Sequence, residues 1–204
     1  TSNGFNLAAV YSTQAQDVLD WQMQREGARG EVEYDDHHHH HTALVSVEPG
    51  ASAVIIRCSG HVETSDNSGM VGPHSGFMPM WRFLDQTELT MPGARMRALA
   101  QALAGGKQEP LAMLHSLSQA VLAAVRYEIG HTDAKTTAEG AMAAGRGVCQ
   151  DHAHIFIGTA RLLGIPARYV SGYLMMNDRI DQEAGHGWAE AHVESLGWVA
   201  FDVS

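Results

Sequence analysis

The chain has 204 residues, of which 45% are hydrophobic and 18% charged, and its formal net charge is −10. That hydrophobic share excludes a disordered chain, and at roughly 100–200 residues per domain the length allows one domain or two small ones. The acidic balance repels phosphates and argues against a general nucleic-acid binder; no apolar run approaches the ~18 residues that would span a bilayer.

Up to about Thr87 the pattern is strand-like. Leu19, Trp21 and Met23 alternate with Asp20, Gln22 and Gln24, the period of two that marks a half-buried strand. Thr42–Glu48 and Ser52–Glu63 are two further β-rich runs, split by Glu48-Pro49-Gly50. Asp35-Asp36 and the run His37–His41 stand between strand segments and read as a native polar hairpin loop. Five imidazoles there could take up a divalent cation, but no fixed ligand geometry is implied, and a His-rich metal-binding protein is the weaker reading. Residues 64–79 are rich in Gly, Pro and Ser and read as an irregular connection.

From Leu89 the period becomes helical. Thr90 before Met91-Pro92 reads as an N-cap, with Met96, Leu99 and Leu103 on one stripe and Gly105-Gly106 as the stop. A second helix opens near Pro110 and carries Leu111, Leu114, Leu117, Val121, Leu122 and Val125, with Gly130 closing it. Thr136-Thr137-Ala138-Glu139 is a capping box for a short third helix. A fourth helix is expected from about Val148 to Leu163, stopped by Gly164 and Pro166. Strands return at Ala167–Met175, His186–Glu194 and Trp198–Val203.

Only two cysteines occur, and they stand in unlike contexts. Two distant cysteines are no disulfide framework, and with no visible signal peptide they point to a cytoplasmic protein. Cys58 alternates with Val54 and Ile56 and reads as structural. Cys149 opens the fourth helix after Gly145-Arg146-Gly147-Val148. Unpaired N–H groups and the helix dipole at that point favour thiolate over thiol. A core cysteine capping the helix is the alternative at this position.

A thiolate nucleophile needs a base, and the base needs an orienting group. His186, Trp188, Glu190 and His192 share one strand face, and Trp198, Ala200 and Asp202 share a face of the next. A hairpin centred near Glu194 would set His186 opposite Asp202. His152 neighbours Cys149 on the helix, but its adjacent Asp151 points elsewhere and reads as a first-turn acid. His154 lies on another face, and Cys149, His152 and His154 lack a zinc spacing. His192 reads as a strand-surface histidine, and Trp188 and Trp198 as aromatic residues of the sheet core.

Three segments now share a recognisable order. Gly147-Val148-Cys149-Gln150-Asp151-His152 leads, through Leu163-Gly164-Ile165-Pro166-Ala167-Arg168-Tyr169-Val170-Ser171-Gly172-Tyr173, to His186-Gly187-Trp188-Ala189-Glu190 and Leu196-Gly197-Trp198-Val199-Ala200-Phe201-Asp202. This resembles the bacterial transglutaminase-like family, whose members include proteins described as cysteine proteases. The likeness is strong from Gly93 onward and looser before it. It implies a catalytic triad of Cys149, His186 and Asp202. It also implies an α+β fold: a papain-like core of helices on an antiparallel sheet at residues 88–204, after a small β-sandwich-like domain at residues 1–87. The sequence departs from the family at His152, where an aromatic or apolar residue is usual, and at Val203-Ser204 in place of Pro-Thr. Members usually continue past Asp202, so the core reads as truncated there.

The resemblance implies acyl transfer on a peptide or protein substrate, by hydrolysis or by transfer to an amine. A catalytically silent peptide-binding module is the reading from another class. No cofactor, structural metal or calcium loop is expected, and neither a nucleic acid nor a membrane is an expected partner.

Overall fold

A computed structural model of the chain describes residues 4–8, 12–13, 15–36, 38, 40–106, 108–176 and 185–204, with backbone alone for 4–8. The chain divides into two compact units, Thr1–Met78 and Pro79–Ser204. The division falls ahead of Thr87, because a 3-10 helix, Met80–Leu84, belongs to the second unit: its Phe83 ring meets Trp198 edge-on at 4.9 Å.

The first unit carries strands β1 (Gly4–Ala8), β2 (Gln16–Glu26), β3 (Ala28–Asp35), β4 (His41–Val47), β5 (Ile55–Thr64) and a short β6 (Met70–Gly72). β4 lies between β1 and β3, antiparallel to both, and β2 pairs antiparallel with β5. The β2–β5 register shifts between Val18 and Asp20. That bulge sets Leu19 out of phase, so it is 65% exposed while Val18, Trp21 and Met23 are half-buried. Alternation alone could not reveal the extra residue. Cys58 stands opposite Met23 and is exposed, so it is no core residue.

The histidine run joins β3 to β4. Asp36 Oδ1 accepts hydrogen bonds from the backbone N–H groups of His38 (2.8 Å) and His40 (2.9 Å), and His41 Nδ1 lies 3.1 Å from Asp35 Oδ1. His37 and His39 lie outside the described residues. Among the described residues no group of three or more His, Cys, Asp or Glu side chains could hold a metal ion.

The second unit contains α1 (Ala94–Ala104), α2 (Pro110–Ala124), β7 (Arg126–Tyr127), α3 (Ala138–Ala144), β8 (Arg146–Gly147), α4 (Cys149–Leu162), β9 (Ala167–Gly172), β10 (His186–Val193) and β11 (Gly197–Phe201). β10 lies between β9 and β11 and is antiparallel to both. α4 packs against α1, α2 and α3 and against β9 and β10. It is buried on every face from Asp151 to Ala160, so it is a core helix rather than an amphipathic surface helix. Leu114, Leu117 and Val121 of α2, Ile155, Phe156 and Ile157 of α4, and Ala189, Ala191, Val199 and Phe201 of the sheet share one apolar core.

Two helix starts differ from the sequence signals. Thr90 does not cap α1; it is buried, and its Oγ1 accepts from the Thr87 N–H at 2.9 Å. α1 follows Gly93, which has no side chain to cap it. Its open N–H groups are met by Glu139 of α3, whose carboxylate accepts from Gly93 (3.1 Å), Arg95 (3.0 Å) and Met96 (3.2 Å). These bonds hold the Glu139 carboxyl below its ordinary pKa against the opposing effect of burial, with Arg95 assisting. The start of α3 differs too: Thr137 rather than Thr136 is its N-cap, accepting from the Gly140 N–H at 3.2 Å, and Glu139, turned to α1, does not complete the expected capping box. α2 ends at Ala124, before Gly130, because Val125 is extended and leads into β7.

Glu139→Ala leaves three donors at the α1 terminus without this acceptor. We expect a loss of about 1–3 kcal/mol in urea unfolding, with Glu139→Gln intermediate. A second expectation concerns acid. Burial holds His152 and His154 below the usual histidine pKa, against the pull of Asp151 on both and of Asp202 on His152. The unfolded chain then binds more protons than the folded one as pH falls below about 6.5, so stability present above that pH is lost by up to about 1.4 kcal/mol per unit for each group. Melting temperature should fall between pH 7 and pH 5, and His154→Leu should flatten that slope; an unchanged slope would count against the assignment.

Candidate active site

Cys149 is the first residue of α4, half-buried and unpaired. The turn that presents it is held by Asp151, itself only 1% exposed. Asp151 Oδ2 accepts from the Val148 N–H at 2.8 Å and from Thr132 Oγ1 at 2.6 Å. As a first-turn acid, Asp151 thus closes the helix start and ties it to the preceding loop. A Cβ on Gly147 would lie 2.7 Å from Asp151 Cβ and Oδ2, so only glycine lets the chain pass this carboxylate.

His186 opens β10, and Asp202 follows the end of β11. Their side chains meet: His186 Nε2 donates to Asp202 Oδ2 at 2.7 Å. The His186 side chain is 14% exposed and that of Asp202 44%. This meeting does not come from the register read from sequence. Val193 pairs with Gly197 and Ala189 with Phe201, while His186 stands opposite Gly172 of β9. The ladder ends at Phe201, and the two side chains reach each other beyond it. Nδ1 is the ring nitrogen of His186 that this bond leaves over. Trp188 stacks near the same ring at 6.1 Å.

Cys149 stands on the helix packed against the strand that carries His186. Tyr169 of β9 reaches the residue next to His186. Its hydroxyl sits so close to Gly187 that a Cβ there would come within 2.0 Å of it. Burial raises the Tyr169 pKa, and the charge of Cys149 raises it further, as does Asp151. Tyr127 responds in the same way, to burial first and then to Cys149. Sequence pattern alone singles out neither tyrosine. Tyr169 shares its strand face with Ala167, which lies in the core, but alternation does not say which element that face meets.

The rival histidines have other partners. His152 is fully buried, with Nε2 donating to the Val125 carbonyl at 2.9 Å and Nδ1 lying 3.2 Å from Ser204 Oγ. Both ring nitrogens are engaged, so His152 is not placed as a free base. The ring of His154 lies 5.3 Å from that of Tyr169, and its buried Nδ1 has no hydrogen-bond partner among the described residues. Glu190, on the His186 face of β10, pairs with Arg168 at 2.7 Å, and the Arg168 guanidinium lies 4.2 Å over the Trp198 ring. No helix among the described residues is long and apolar enough to cross a membrane.

The comparisons with known proteins follow the same lines. The model of the transglutaminase-like superfamily matches residues 97–203. An uncharacterised protein of Mycobacterium leprae (strain TN) is 34% identical over 129 residues, which cover 56% of this chain and 44% of that protein. The chain therefore spans less than half the length of this curated relative. Among solved structures, a candidate cysteine protease from Cytophaga hutchinsonii superposes with a TM-score of 0.72 at 20% identity, covering 98% of this chain and 70% of that one. The periplasmic domain of TgpA from Pseudomonas aeruginosa, bound to ethylmercury, gives a TM-score of 0.52 at 21% identity, covering 100% of this chain and 72% of that one. At such identities the likeness is one of fold. It also overturns the cytoplasmic expectation: this kind of fold occurs in a periplasmic domain, and two unpaired cysteines, one of them exposed, do not report a redox compartment. With the family pattern matched across more than half its length, and with helices packed on an antiparallel sheet in the corresponding order, the chain belongs to the transglutaminase-like superfamily.

Proposed function

We propose that this protein is a cysteine-dependent acyl transferase whose catalytic residues are Cys149, His186 and Asp202, and that its reaction is hydrolysis of a peptide or amide bond. The observation that carries the proposal is the 2.7 Å bond from His186 Nε2 to Asp202 Oδ2, on a sheet packed against the helix that Cys149 opens. In this reading residues 79–204 form the catalytic core and residues 1–78 a separate β-rich unit.

The chemistry follows from the roles of the groups. The Cys149 thiolate attacks the carbonyl carbon, and the C=O electron pair moves onto oxygen. The Cys149 backbone N–H at the helix start is one donor for that oxyanion, and Gln150 is a candidate for a second. His186, oriented by Asp202, gives an Nδ1 proton to the leaving amine as the C–N bond breaks. Water, losing a proton to the same nitrogen, then releases the acyl group and restores the thiol pair. An amine in place of water would make the product a cross-link, with the same residues in the same roles.

Cys149→Ala should lower turnover by at least ~10³-fold, because the covalent step is lost. Asp202→Ala should cost less, on the order of 10²-fold, since it removes an orienting group and leaves the nucleophile. The measurement is turnover of peptide and glutamine-donor panels with water or an added amine as acceptor. Alkylation by iodoacetamide across pH accompanies it, on wild type and both variants. A Cys149 that alkylates with an ordinary thiol's pH profile, together with turnover unaffected by Cys149→Ala, would leave the silent binding module in its place.

A further inference from the structure

His152, where the sequence departs from the family, and Ser204, the second residue after Asp202, meet in space. Four hydrogen bonds run in series through them. His152 Nε2 lies 2.9 Å from the Val125 carbonyl oxygen, which can only accept, so Nε2 carries the proton. Nδ1 of the neutral ring is then an acceptor, and Ser204 Oγ donates to it at 3.2 Å. The Ser204 backbone N–H donates to Asp202 Oδ1 at 3.2 Å. Asp202 Oδ2 accepts from His186 at 2.7 Å. The series starts at the C-cap of α2, passes through α4 and ends on the imidazole of β10.

We propose that His152 and Ser204 are positioning residues: together they form a hydrogen-bonded clasp that seats the Asp202 carboxylate on His186. The proposal rests on the acyl-transfer reading for its effect on rate, but not for its effect on geometry. Asp202 needs such a device. The β10–β11 ladder ends at Phe201, so no strand pairing holds the residue. Val203 is buried and anchors the backbone, yet it leaves the carboxylate free to turn about its own bonds. With one oxygen on the Ser204 N–H and the other on His186, that rotation is stopped.

The surroundings of His152 suit this role. The ring is fully buried, with Tyr127 edge-on at 6.2 Å. Asp151 on its own helix and Asp202 at the end of β11 favour the protonated ring, while burial opposes it and prevails. The neutral ring keeps an acceptor at Nδ1 for Ser204. A phenylalanine would fill similar space and offer nothing to either Val125 or Ser204. Packing alone therefore does not call for histidine here.

The test uses Ser204→Ala, Ser204→Thr, His152→Phe and the double variant Ser204→Ala with His152→Phe. Ser204 is exposed, so its variants should fold even if His152→Phe does not. Independent of turnover, proton NMR reads the His186 Nε2–H, which should appear downfield in wild type because it donates to a seated carboxylate. That resonance should be retained in Ser204→Thr and lost or moved upfield in Ser204→Ala and His152→Phe. In turnover, Ser204→Ala and His152→Phe should each lower kcat roughly tenfold with KM little changed, and Ser204→Thr should restore it. The double variant should be no worse than the poorer single one, because both break the same series. A His186 resonance unchanged in Ser204→Ala overturns the clasp, as do independent, multiplicative losses in the double variant. A resonance that responds as expected in a protein with no Cys149-dependent turnover would support the clasp and reject the acyl-transfer reading alone.

Discussion

Helix α4 is buried around its whole circumference from Asp151 to Ala160, and much of the second unit can be understood from that constraint. A polar group inside such a helix must find its partner within the protein or carry the cost of having none. Asp151 meets this by closing the helix start against Val148 and Thr132, and His152 by reaching the α2 terminus and Ser204. Thr159 Oγ1, His154 Nδ1 and Asp151 Oδ1 have no hydrogen-bond partner among the described residues. Burial relents at the two ends, at Arg161 and Leu162 and at the helix start, where Cys149 and Gln150 are half-exposed. The sulfur therefore stands where a central helix meets the outside, with the open N–H groups of the first turn around it.

The sheet supports the same arrangement through the size of its side chains. The face of β9 and β10 toward α4 carries mostly small residues, Ala167, Ser171, Gly187, Ala189 and Ala191, with Tyr169 among them. Small residues let the helix approach closely, and at Gly187 they leave the space that the Tyr169 hydroxyl takes. The opposite face carries larger and charged groups, among them the Arg168–Glu190 pair and the Trp198 ring beneath the guanidinium. A largely buried ion pair gains little net stability by itself. Here both Nε and Nη2 of Arg168 reach the same Glu190 oxygen, and the guanidinium also lies on an aromatic face.

Membership of the transglutaminase-like superfamily agrees with this architecture, and the match from residue 97 to residue 203 falls within the second unit. The solved structures extend the likeness across nearly the whole chain, at identities that speak of fold. Fold alone does not select a reaction; that rests on the site and on which groups converge there.

Local signals in the sequence were enough for the four α-helices and their order and for β2, β4, β5 and β9 to β11, but not for β1, β3, the short β6 to β8 or the 3-10 helix. The stripe Leu114, Leu117 and Val121 is the buried face of α2, and Gly145-Arg146-Gly147-Val148 does lead into the helix that opens with Cys149. Periodicity, caps and breakers act over a few residues, so they can be read in one dimension. The register of β10 against β11, the bulge at Leu19, the diversion of Glu139 to another helix and the partners of His152 could not be read that way. Each depends on which distant groups compete for a given donor, acceptor or volume, and that competition exists only once the chain has packed.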